Sequence, residues 1–287
     1  DFCLSRGLGD VYKRQGMPPC LILRSDGASL YATRDLAAAI YRKKTYDFDK
    51  CLYVVAYQQN LHFKQVFKVL ELMGKEWAKD LVHVAYGMVS LEDGAMSTRK
   101  GKVVWLEDVL NRCVEKAYSV IDEKNPSLEN KQEIAEKVGV GAVIFSALYN
   151  NKIKDIVFSY DKALNFDGET SVYVQYTCAR ASSVLAKAAE GGFEAALPEN
   201  HTPCDQEFEL IRALSDFPDT VKAAAERYEP SFVARWCVDA AQKFNKFYFD
   251  CKILQEEETR AFRLALTQAT LSALTAGLTL LGIGVPE

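Results

Sequence analysis

Between Gly94 and Lys102 the chain reads G-A-M-S-T-R-K-G-K, which places two glycines, two hydroxyls and three cations within nine positions. Such a loop suits a polyphosphate. Glycines allow close backbone approach, the Ser97 and Thr98 hydroxyls can donate, and Arg99, Lys100 and Lys102 supply charge where a pyrophosphate leaving group develops it. The segment is not a P-loop, and by spacing alone a solvated basic turn is the commoner arrangement.

Other polar residues stand where ligands meet open α/β sheets. Tyr31 and Asp35 are four apart and so share one face of a helix or its first turn. On pattern alone, an acid near a helix start beside a core aromatic is the ordinary arrangement. Gln58 and Gln59 follow an apolar run, the position just past a parallel strand. His62 lies three residues after Gln59. Farther on, Tyr173, Gln175, Tyr176 and Arg180 fall on one predicted helix and Lys243, Lys246 and Tyr248 on another. Aromatics and arginine at these spacings can stack on unpaired bases, although tyrosines can equally be core and lysines a solvated face.

The elements that must hold these groups change character along the chain. Cys20 to Arg24 reads as a strand before a turn at Asp26-Gly27, and Asp35 to Lys44 as a helix. Cys51 to Tyr57 is a β-branched and aromatic strand, Leu61 to Met73 a helix, and Val82 to Val89 a strand. This alternation predicts a parallel sheet. After Trp105 every segment reads as helix: Leu106 to Ile121, Lys131 to Tyr149, Glu169 to Ala189 and four more. In Ser231 to Asp250, Val233, Trp236, Ala240, Phe244 and Phe247 recur at helical spacing, with Pro230 as a plausible start. The fold class is therefore α/β followed by all-α, with a boundary near Lys124 to Pro126.

Composition restricts the function classes. The 287 residues are 49% hydrophobic and 26% charged, enough for two cores. A net charge of −4 argues against a generally sticky nucleic-acid binder and leaves room for a local cationic patch. Eight cysteines without a C-x-x-C pair, with three histidines, give no metal-ligand spacing, so reduced thiols and no tightly bound metal are expected. Leu264 to Val285 is uncharged, but threonines interrupt it, which predicts a buried terminal helix and no membrane span. Asp1 to Gln15 shows no signal layout and no period, and is set apart as a non-native leader.

The M-S-T-R-K-G run after G-M-V-S-L-E-D-G resembles the arginyl-tRNA synthetase form of the class I KMSKS loop. Ser25 to Ala38, Tyr53 to Gln65 and Phe166 to Ala181 resemble segments of the same family in the same order, and the likeness covers nearly everything from Gly16 onward. It implies a partial Rossmann-like catalytic domain over 16–124 after the leader 1–15, a connecting region over 125–164, and a helical anticodon-binding domain of the DALR type over 165–287. D-F-P-D-T-V-K-A-A-A-E-R-Y-E-P and F-N-K-F-Y-F-D lie in that last segment.

The resemblance also implies roles. Tyr31, Asp35 and Gln59 contact L-arginine, whose guanidinium a carboxylate pairs with by charge-assisted bonds. His62, Gly87, Met88 and Met96 border ATP, which comes with Mg2+, and Ser97, Thr98, Arg99, Lys100 and Lys102 form the catalytic loop. Tyr173, Gln175, Tyr176, Arg180, Lys243, Lys246 and Tyr248 face arginine tRNA. The reaction forms arginyl-adenylate and then charges the tRNA, without a protein nucleophile. The intact family member is expected to be a cytoplasmic monomer.

Two departures matter. Ala95 and Thr98 replace the KMSKS lysines, and no H-x-G-H signature accompanies His62, His83 and His201. The chain by itself is accordingly expected not to activate arginine. A different class I synthetase, or a non-catalytic tRNA-binding protein, is the alternative.

Overall fold

The computed structural model of the protein describes residues 17–91, 105–198 and 200–286. The leader and the basic loop with Met96, Ser97, Thr98, Arg99, Lys100 and Lys102 lie outside them. The chain divides into two compact units, one ending at Met88 and the other beginning at Val89.

In the first unit, helix α1 (Tyr31–Tyr46) leads to strand β1 (Cys51–Ala56), helix α2 (Asn60–Leu72) and strand β2 (Leu81–Tyr86). The strands pair in parallel from Cys51 opposite Leu81 to Ala56 opposite Tyr86, so α2 is the crossover that a parallel pair requires. It buries Phe63, Val66, Val69 and Leu70 on the face the apolar spacing foretold. Leu36 and Ala39 of α1 join the same core, with Ala78 and Leu81.

Helix α1 starts four residues earlier than the sequence suggested. The Leu30 backbone N–H donates to Thr33 Oγ1 at 3.3 Å, which satisfies a donor at its first turn. At its other end Asp47 takes a left-handed conformation and its N–H donates to the Lys43 carbonyl. Cys20 to Arg24, expected as a strand, forms only an isolated antiparallel bridge between Leu23 and Ser29 across the turn. Leu21 is 63% exposed there, so its apolar look reflects no buried ladder.

The expected strand Val82 to Val89 is also two elements. Strand β2 stops at Tyr86, and β3 (Val89–Leu91) pairs in parallel with β4 (Ile156–Phe158) in the second unit. The all-helical reading after Trp105 is corrected by β4, a three-residue strand too short to show a period.

The rest of the second unit is helical: α3 (Leu106–Lys124), α4 (Lys131–Tyr149), α5 (Tyr160–Ala163), α6 (Ser171–Glu190), α7 (Asp205–Ser215), α8 (Phe217–Arg227), α9 (Ser231–Asp250) and α10 (Glu257–Leu280). Helices α3 and α4 approach closely at Gly139, where an added Cβ would stand 2.6 Å from the Val114 backbone nitrogen. Gly139→Ala must therefore push two backbones apart. It is expected to destabilise the protein by about 1–3 kcal/mol, as overpacking does, and chemical denaturation would measure the loss.

Helix α9 begins at Ser231 as the pattern predicted, and Val233, Trp236, Ala240, Phe244 and Phe247 are all buried. With Val174 and Cys178 of α6 and Leu274 and Leu278 of α10 they form much of two adjoining clusters. The uncharged terminal stretch falls largely in α10, where the buried Thr267 and Thr270 hydroxyls donate to the carbonyls of Arg263 and Leu266. Hydroxyls satisfied within the helix let it be both threonine-rich and buried. Among the described residues no helix is long and apolar enough to cross a membrane.

Candidate functional site

In the first unit the two parts of a candidate pocket are joined by a hydrogen bond. Asp35 lies one turn into α1, His62 sits in the first turn of α2, and His62 Nε2 is 2.6 Å from Asp35 Oδ2. The carboxylate and imidazole assigned to different ligands thus contact each other. Both are only partly buried, so a cationic ligand can reach the carboxylate from solvent. Tyr31 opens α1 and is 80% exposed. A short 3-10 turn, Tyr57–Gln59, carries the chain from β1 into α2 and leaves Gln58 and Gln59 exposed. Gly87 is buried and Met88 exposed at the end of the unit. His83 is structural: its Nε2 lies 2.9 Å from the Val55 carbonyl, and its ring packs on Phe63.

In the second unit, α6 and α9 carry the other set. Thr170 caps α6 by accepting from the Tyr173 N–H at 3.2 Å. Down that helix, the Arg180 guanidinium carbon stands 4.9 Å from the Tyr176 ring centre and 5.1 Å from that of Tyr248 on α9. A planar cation between two aromatic rings is held by cation–π attraction. Asn245 completes the arrangement: its Oδ1 accepts from Arg180, and its Nδ2 donates to Tyr173 Oη and Thr177 Oγ1, each at 2.9 Å.

The rings stay available. Tyr176 is 52% exposed and Tyr248 42%, and Phe249 beside them is 86% exposed. Two hollows flank Arg180. One of about 580 Å³ is lined by Tyr248, Phe249, Lys187 and Lys252, and one of about 610 Å³ by Tyr173, Asn245, Lys124 and Phe166. A larger, mostly apolar cavity of about 870 Å³ shares Tyr176 but lies among α3, α4 and α6.

The structure thus gathers Tyr173, Tyr176, Arg180 and Tyr248, and adds Asn245, which the sequence reading passed over. Asparagine inside a helix is disfavoured unless its amide finds a partner, and that was the available signal. Gln175 is corrected. It is 2% exposed, and its Nε2 donates to the carbonyls of Lys137 and Gly284 at 3.2 and 2.6 Å, so it ties the C-terminal segment to the helical core. Lys243 pairs with Asp239 at 2.7 Å, one turn away, and Lys246 is exposed.

Burial pushes the Cys113 thiol up to about 11 and those of Cys178 and Cys237 up to about 12. None of these three is a thiolate nucleophile near neutral pH.

The family described as tRNA synthetases class I (R), catalytic domain, matches residues 10–160, and the DALR anticodon binding domain matches residues 174–287. The chain is 55% identical over 272 residues to an arginine–tRNA ligase of Halothermothrix orenii, covering 94% of this chain and 48% of that protein. It is 52% identical over 279 residues to one of Clostridium beijerinckii, covering 96% and 49%. Among solved structures it is similar to Thermus thermophilus arginyl-tRNA synthetase, with a TM-score of 0.84, 30% identity, and coverage of 95% of this chain and 52% of that one. The chain spans about half the length of the curated relatives it matches.

Proposed function

The chain belongs to the arginyl-tRNA synthetase family, and from that premise we propose that it works in arginine–tRNA ligation, contributing part of the arginine and ATP site and the surface that reads the anticodon of arginine tRNA. Residues 16–124 are the C-terminal half of the nucleotide-binding domain, 125–164 connect, and 165–287 bind the anticodon.

In this reading Asp35 pairs with the substrate guanidinium, with Tyr31 and Gln59 beside it. His62 orients the Asp35 carboxylate through their hydrogen bond and is assigned, with Gly87 and Met88, to ATP. ATP enters as substrate with Mg2+, and by family resemblance Met96 is assigned to ATP and Ser97, Thr98, Arg99, Lys100 and Lys102 to catalysis. Activation by positioning and charge needs no protein nucleophile.

The observation that supports the RNA half most directly is Arg180 between two half-exposed tyrosines, fixed by Asn245. Splayed bases stack on such rings, and a guanidinium beside them can donate to a base edge or a phosphate. Lys246 supplies backbone attraction. The test is an anticodon stem-loop RNA carrying an arginine anticodon, titrated against the same hairpin with the anticodon scrambled. Tighter binding of the first is expected, and equal binding would overturn the assignment of this surface.

A further inference from the structure

Just past Tyr248, where α9 ends, several metal-ligand atoms converge on the start of α7. Cys204 immediately precedes α7, Glu207 lies in its first turn, and Cys251 immediately follows α9. The two sulfurs are 3.7 Å apart, and with a Glu207 carboxylate oxygen they all lie within 4.8 Å of one another. Outside that group, the His201 ring Nε2 lies 2.9 Å from Glu207 Oε2. Phe262 packs on that ring at 4.0 Å between centres, and the His201 and Glu207 side chains are only 10% and 1% exposed.

We propose that Cys204, Glu207 and Cys251 form a binding site for a thiophilic divalent cation, with Zn2+ the ion that fits and a water molecule as its fourth ligand. Two sulfurs each about 2.3 Å from a tetrahedral zinc ion stand about 3.8 Å apart, close to the separation here. Thiolate and carboxylate are donors zinc takes, and they come from two helix ends that no short spacing in the sequence connects.

The surroundings suit the charge. Arg263 Nε donates to Glu207 Oε1 at 2.7 Å, and its NH1 group donates to Glu256 Oε2 at 2.7 Å. Arg263 therefore occupies one Glu207 oxygen, and the other, Oε2, accepts from the Cys204 backbone N–H at 3.0 Å and lies beside His201, which holds it toward the sulfurs. Two thiolates and the Glu207 and Glu256 carboxylates face a divalent ion and this guanidinium, which leaves one net negative charge. On binding, both thiols lose their protons to solvent. The ion would fasten the start of α7 to the end of α9, just beyond Tyr248 and Phe249.

The test uses the reduced, metal-stripped 287-residue chain. Co2+ should bind at one equivalent with a thiolate-to-cobalt charge-transfer band, and one equivalent of Zn2+ should abolish that band. Alkylation mapped by mass spectrometry should show Zn2+ slowing modification of Cys204 by roughly tenfold or more, because a metal-held thiolate is a poor nucleophile. The partly exposed Cys51 should be unaffected. Cys204→Ser should remove the cobalt band. Absence of the band in the folded chain, or equal alkylation of Cys204 with and without Zn2+, would overturn the proposal, and the alkylation readout on the native sequence does not depend on any variant folding.

Discussion

Arg180→Ala is expected to weaken binding of arginine tRNA by roughly 5- to 150-fold, the equivalent of losing one base stack worth about 1–3 kcal/mol. The guanidinium spaces Tyr176 from Tyr248 and is itself hydrogen-bonded to Asn245, so its removal frees both rings and leaves the amide oxygen without that donor. Arg180→Lys should not restore affinity. A lysine keeps the charge but has no plane to lie between two rings and no fork for Asn245. Lys246→Ala, by contrast, should weaken all tRNAs alike and reduce the salt slope by about one. Fluorescence titration with labelled tRNA at fixed salt, beside circular dichroism to confirm folding, measures both. Unchanged affinity in a folded Arg180→Ala variant would remove this residue from the RNA surface.

The second large effect concerns the scaffold beneath that surface. Phe244 is fully buried on α9, and its ring lies 6.0 Å from that of Phe247 and 6.5 Å from that of Tyr248. Phe244→Ala should cost about 3–5 kcal/mol, since the cavity cannot close around a helix packed on several others. At about 2–4 °C per kcal/mol for a unit of this size, the melting temperature should fall by roughly 6–20 °C. A thermal melt showing a drop of only a degree or two would mean that α9 repacks, contrary to the packing described.

Much of the helical half could be read from residue spacing because long amphipathic helices repeat their signal. The stripe from Val233 to Phe247 needed only the helical period, and all five of its named positions are interior. Strand β4 carries only Ile156, Val157 and Phe158, too few residues for a period, and its partner is β3, more than sixty residues earlier. The C-L-I-L-R run failed in the opposite sense. It has the composition of a strand, but its bridge to Ser29 does not extend into a ladder.

The sites divide in the same way. Tyr176 and Arg180 are one helical turn apart, so their pairing was legible. Asn245 and Tyr248 join them only through the packing of α9 on α6. Gln175 was misjudged because adjacency in sequence to Tyr176 places it on a different face of the helix, toward Gly284. The sulfur pair was invisible for a related reason: Cys204 and Cys251 lie on either side of three helices, and only the folded chain brings them to 3.7 Å.

The most direct measurement of the central claim is competitive binding of the purified, folded chain to arginine tRNA against tRNAs of other specificity, across a salt series. Phosphate contacts weaken steeply with salt whatever the sequence, whereas base contacts keep their discrimination. A preference for arginine tRNA that survives moderate salt is the predicted result. Equal binding of every tRNA at each salt concentration, or no binding at all, would contradict the assignment of the helical unit to anticodon recognition.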